Sequence, residues 1–102
     1  MKYRTTPAFD RDYRRLPADH RLQFKAAVVQ FIAGAEAAAA GRDAPWPNGL
    51  RVKAVRGTAR VWEMTWSMTD PDGRATWEWV DIDGERGILW RRIGDHAIFK
   101  RA

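Results

Sequence analysis

The sequence predicts an α+β fold, an N-terminal helical hairpin packed on a mostly antiparallel sheet of about four to five strands. Three observations predict it. Apolar residues recur at helical spacing through the first forty positions, the period changes to two after position 50, and two turn signals punctuate the second half. Helices first and hairpin-linked strands after them is the order of a layer of helices laid on one face of an antiparallel sheet.

The elements follow in order. Lys2 to Thr5 reads as a short strand. Thr6 before Pro7 reads as a helix start, with Thr6 as N-cap and Pro7 at the first helical position. Phe9, Tyr13 and Leu16 then share one face, and Pro17 ends the helix. Asp19 is the expected cap of a second, longer helix, along which Phe24, Val28, Phe31, Ile32 and Ala35 form a stripe. The alanines 37–40 favour its continuation and Gly41 its end. Pro45, Trp46 and Pro47 lie in a loop. Leu50 and Val52 alternate with Arg51 and Lys53, and Trp62, Met64 and Trp66 alternate with Val61, Glu63 and Thr65. Asp70-Pro71-Asp72-Gly73 marks a turn, after which Ala75, Trp77 and Trp79 alternate with Thr76, Glu78 and Val80. Asp83-Gly84 begins another turn, and Ile88 to Ile93 is the last strand.

The length suits one domain over 1–102. No stretch approaches the roughly 20 apolar residues of a membrane span. Residues 1–10 carry no apolar run of signal-peptide type, so the expected location is the cytoplasm, with no membrane partner. The absence of cysteine excludes disulfide scaffolds and thiolate metal sites, and with two histidines no metal centre and no cofactor is expected. The formal charge is +5, and 14 of the 18 basic residues are arginine, whose planar fork suits phosphate and carboxylate. Such a charge fits a nucleic acid, an acidic partner or a solvated basic surface.

Arg51, Lys53, Arg56 and Arg60 fall in ten positions without an acid, and Arg51 and Lys53 are expected on one face of their strand. Arg86, Arg91, Arg92, Lys100 and Arg101 form a second basic segment, and the two together could groove a phosphate backbone. Of the six tryptophans, Trp62, Trp66, Trp77 and Trp79 read as core; Trp46 and Trp90 could be core or could stack on bases. His96, near Arg91 and Arg92, could pass a proton to a leaving oxygen. His20 reads as surface. Glu63, the only acid of its strand, is either a general base or half of an ion pair with Arg74.

Several stretches then resemble the RelE/ParE superfamily of toxins from toxin–antitoxin pairs. Phe9-x-Arg11-Asp12-Tyr13-x-x-Leu16 is similar to its first helix, and Leu50-Arg51-Val52-Lys53 with Val61-Trp62-Glu63-Met64 to its central strands. Gly73-Arg74-Ala75 is similar to the family's G-x-x-R strand, and the segment from Trp90 to Lys100 to the end of the YafQ-like and YoeB-like branches, which often keep a histidine there. The resemblance implies an mRNA interferase, acting on free or ribosome-bound message, that a cognate antitoxin holds inactive. It implies Glu63 as base, Arg74 as phosphate stabiliser and His96 as acid, with Arg51 and Lys53 on the RNA backbone and Phe99 orienting the substrate. Arg56 falls in the same basic segment as Arg51 and Lys53. The family's arginine after the glutamate is absent, Met64-Thr65-Trp66 standing there, so Arg91 or Arg92 would supply that charge; Phe99 lacks a tyrosine hydroxyl. Two other functions fit the same family pattern. One is a ParE-like inhibitor of DNA gyrase; the other is a degenerate domain that binds antitoxin or RNA without catalysis.

Overall fold

A computed structural model describes residues 1–43, 45–67, 72–95 and Ile98. The order is β1 (Tyr3–Thr5), α1 (Pro7–Arg15), α2 (Ala18–Ala39), a 3₁₀ turn (Asn48–Leu50), β2 (Lys53–Ala54), β3 (Trp62–Ser67), β4 (Gly73–Ile82) and β5 (Glu85–Gly94). The five strands form one sheet in the order β1-β5-β4-β3-β2, in which only the β1–β5 pair is parallel. The α+β expectation therefore holds.

Local chemistry accounts for the element ends. The Thr6 hydroxyl accepts from the Phe9 amide, closing the first turn of α1 behind Pro7. Asp19 is not the cap of α2. Pro17 occupies that position without a side-chain bond, because the break at Leu16–Pro17 lets helix resume at once and places Asp19 in the first turn. At the other end Gly41 takes φ 77°, and the amides of Gly41 and Arg42 donate to Ala38 and Ala37. This is the paired bonding of a left-handed helix stop. The Asp83-Gly84 turn has both residues at positive φ, the geometry that matches strand twist in a two-residue hairpin.

The strand expected through Leu50–Lys53 is shorter than its alternation suggests. Leu50 ends the 3₁₀ turn, Arg51 sits at φ 46°, and pairing begins only at Lys53. Arg51 thus stands outside the strand that was to align it with Lys53.

The core lies between α1, α2 and one face of the sheet. Phe24 and Phe31 of α2 pack edge-on against Trp90, Trp66 and Trp77. Trp77 is fully buried, with Trp46, Trp62 and Trp79 around it at ring separations of 5.2 to 5.9 Å. Trp46 and Trp90 therefore belong to the core. The Trp46 indole donates to the Phe31 carbonyl (3.0 Å) and lies where a side chain on Gly34 would stand, so the loop packs down only because Gly34 has none. Trp79 is half-buried at the rim, under the Arg86 guanidinium at 4.6 Å.

Candidate functional site

The period of two that sends Met64, Ala75, Trp77, Trp90 and Ile93 into the core sends their neighbours to the other face of the sheet. Strand register then lines up residues that are distant in sequence. Lys53 pairs with Glu63, Glu63 with Thr76, and Thr76 with Arg92, a transverse row across four strands. One step along the strands lies a second row, Thr65 with Arg74 and Arg74 with Gly94. Neighbouring strands are about 4.8 Å apart, so about 10 Å separates the Glu63 and Arg92 backbones.

Two irregularities shape this face. Trp66 is an extra residue in β3, and its indole donates to the Arg74 carbonyl at 3.0 Å. Gly73 must be glycine there, since a Cβ would meet the Trp66 ring at 2.4 Å. A second bulge in β5 inserts Arg91 between the pairs Thr76–Arg92 and Trp77–Trp90. Bulges re-aim side chains at such points, and this one presents two arginines opposite Thr76.

The polar groups of this face are desolvated. Glu63 is 7% exposed, Arg74 9%, and Thr65 and Thr76 almost fully buried. Glu63 lies 3.9 Å from the exposed Lys53 ammonium, so its ion pair is with Lys53; Arg74 instead hydrogen-bonds Thr65 and reaches Asp72 at 3.2 Å. The Thr76 hydroxyl and the Arg74 Nε are buried without a partner among the described residues. Such groups are uncommon in folded proteins. Arg91 bonds Glu78 at 2.8 Å. Arg92 donates to both oxygens of Asp12, at 2.6 and 3.1 Å. Those hydrogen bonds raise the Arg92 pKa above its ordinary value; burial opposes them and the Asp12 charge reinforces them.

The remaining sequence-predicted residues are placed as follows. Arg56 and Arg60 are exposed on the loop between β2 and β3, which Val55 and Val61 close through a 2.9 Å backbone bond, and Arg51 is exposed before β2. The first basic segment thus flanks the Lys53 end of the row. His96 and Phe99 lie outside the described residues. Asp95 and Ile98, which bracket His96 in sequence, line a pocket of about 450 Å³ at the end of β5. Asp12 and Asp72, the partners of Arg92 and Arg74, line it too, and so does His20, whose ring is 5.6 Å from Trp66. His20 was assigned to the surface; its place depends on a contact with a residue 46 positions away, and nothing local to it signals that. Among the described residues no group of three or more His, Asp or Glu side chains is placed to hold a metal ion, and no helix is long and apolar enough to cross a membrane.

No protein-family model matches the chain, and no curated protein matches it in sequence. Solved structures do match in fold. The toxin in the intact E. coli RelBE toxin–antitoxin complex superposes with a TM-score of 0.57 at 14% identity, covering 91% of this chain and 93% of that one. The isolated E. coli RelE toxin gives 0.55 at 15% identity, covering 91% and 81%. A mutant of E. coli RelE in the free state gives 0.58 at 14%, covering 98% and 90%. The chain therefore has the RelE fold, helices and sheet together.

Proposed function

We propose that this chain is the toxin of a toxin–antitoxin pair, an endoribonuclease acting as one cytoplasmic domain on messenger RNA, free or on the ribosome, and silenced by a cognate antitoxin protein. The observation that carries the reading is the register of Lys53, Glu63, Thr76 and Arg92, with Arg74 beside them. It brings together a carboxylate and cations on the sheet face away from the helices. The RelE fold of the E. coli toxins supports it.

In this mechanism Glu63 takes the proton of a ribose 2′-OH, and the 2′ oxygen attacks the adjacent phosphorus. Arg74, with Arg91 and Arg92, meets the charge that develops on the phosphorane oxygens. The bond to the 5′ oxygen breaks, and His96 gives that oxygen a proton, leaving a 2′,3′-cyclic phosphate and a 5′-hydroxyl. Base, acid and cations suffice for this chemistry, so neither cofactor nor metal is invoked. Lys53, Arg51 and Arg56 hold the flanking backbone, and Phe99 orients the substrate.

The test is single-turnover cleavage of RNA by the wild type and Glu63→Gln, each with its RNA affinity measured. A general base contributes about 10²–10⁴-fold, so the variant keeps its affinity and loses that much rate. Undiminished cleavage removes Glu63 from the chemistry. One observation favours the non-catalytic reading: Arg74, Arg91 and Arg92 each already hold a carboxylate. Induced expression separates the readings. Cut transcripts support the nuclease, gyrase-linked DNA breaks with intact message support the ParE-like inhibitor, and unimpeded growth supports the silent domain.

A further inference from the structure

The bulge in β5 lies where the sheet has lost its neighbour. β1 pairs with β5 only as far as Trp90, so beyond that point the edge of β5 has no strand beside it among the described residues. α1 supplies the missing partners. The Thr6 amide donates to the Trp90 carbonyl (3.0 Å), the Thr6 hydroxyl to the Arg91 carbonyl (2.6 Å), and the Ile93 amide to Asp12 (3.2 Å). The same carboxylate grips Nε and the Nη2 amine of Arg92. One side chain of α1 thus fixes both the backbone after the bulge and the guanidinium on it. Both partners are largely buried, Asp12 at 12% side-chain exposure and Arg92 at 24%. A bulge leaves one residue out of the ladder, and here the bonds with Thr6 and Asp12 hold the chain on either side of it.

We infer that Asp12 is a positioning residue for RNA cleavage: it holds the Arg91–Arg92 bulge at the far end of the Lys53–Glu63–Thr76 row. This rests on the nuclease reading above. A planar two-point grip fixes the direction of a guanidinium as well as its distance. Asparagine at this position keeps one acceptor and turns an N–H₂ donor toward Arg92, so the grip fails while the helix and its volume remain. The charge argument runs the other way for binding, since removing a carboxylate beside cations does not weaken attraction to phosphate.

The experiment is a double-mutant cycle on the full chain with wild type, Asp12→Asn, Arg92→Lys and both together, measuring melting temperature, RNA affinity and single-turnover rate. We expect Asp12→Asn to bind RNA at least as tightly as wild type. Its rate should fall by up to about 10²-fold, the cost of a misplacement near 1 Å. In the Arg92→Lys background Asp12→Asn should cost less than it does in the wild type, because the two-point grip is already gone and only the bond to the Ile93 amide is left to weaken. Full rate in Asp12→Asn with a lowered melting temperature makes Asp12 purely structural and overturns the inference. Additive losses in the double variant overturn it as well, because Asp12 then acts by another route. A wild type that binds but does not cut RNA defeats the nuclease reading itself, a different result from either.

Discussion

The dependence of RNA binding on salt is a sharp test, because the structure divides the cations into two groups. Arg51, Lys53, Arg56 and Arg60 are exposed, with Lys53 at 65% side-chain exposure. Arg74, Arg91 and Arg92 are more buried and each lies within 3.2 Å of an acid, whereas the Lys53 ammonium stands 3.9 Å from Glu63. For single strands the slope of log affinity against log salt is about −0.7 per phosphate neutralised. If RNA takes only the four exposed cations, the slope is about −2.8 and affinity falls about 50-fold between 50 and 200 mM salt. If the three paired arginines also exchange carboxylate for phosphate, the slope is about −4.9 and the loss approaches 10³-fold. We expect the steeper value, since the mechanism needs those arginines on the phosphorane. Fluorescence anisotropy with a 2′-O-methyl RNA, which cannot be cut, measures it. Replacing Arg51 and Lys53 together should flatten the slope by about 1.4. A slope near −2.8 leaves the sheet face without bound phosphate, and a slope shallower than about −1 refutes the groove altogether.

His96→Ala should melt like wild type, bind RNA as wild type does and lose about 10²–10⁴-fold in single-turnover cleavage; retained cleavage removes His96 from the mechanism, and a matching loss in His20→Ala instead moves the acid to the wall of the end pocket. Gly34→Ala places a Cβ 2.1 Å from the Trp46 ring and should expel the loop. Overpacking costs about 1–3 kcal/mol, and each kcal/mol lowers the melting temperature of a domain this size by about 4–8 °C; an unchanged melting curve would contradict the packing described. The raised Arg92 pKa fixes a sign for the pH dependence of stability. A cation whose pKa is raised on folding contributes fully below its unfolded value and loses that contribution only as pH climbs through the folded one. Arg92 should therefore add no slope to stability between neutral and mildly alkaline pH, and Arg92→Lys should lower the melting temperature by a similar amount across that range.

Some of this molecule was legible along the chain, because the forces involved are local. Thr6-Pro7, Gly41 and Asp83-Gly84 fix φ/ψ or cap hydrogen bonds within a few residues, so the ends of α1, the stop of α2 and the last hairpin were readable. The period of two told which residues of β3 and β4 face the helices, and so which face carries Glu63, Arg74 and Thr76. Other features were misread. The alternation around Leu50 was that of a packed turn, since a two-residue pattern does not distinguish a strand from a chain that buries Leu50 by other means. Asp19 has the chemistry of a cap, but the proline break gives that position to Pro17 and leaves Asp19 two residues after it.

What the sequence by itself determined is therefore the class of fold, the inward face of β3 and of β4, and the stock of arginines. The tertiary structure decided which of those groups meet. Register set Glu63 beside Lys53 rather than Arg74, and two bulges shifted that register at Trp66 and Arg91. The partners of the arginines come from other elements or from turns: Asp12 lies 80 residues from Arg92, and Trp46 covers Gly34 from a loop. The physical reason is that these pairings minimise the free energy of a whole packed layer. A carboxylate finds its guanidinium through the position of α1 against the edge of β5, and no window of neighbouring residues contains that information.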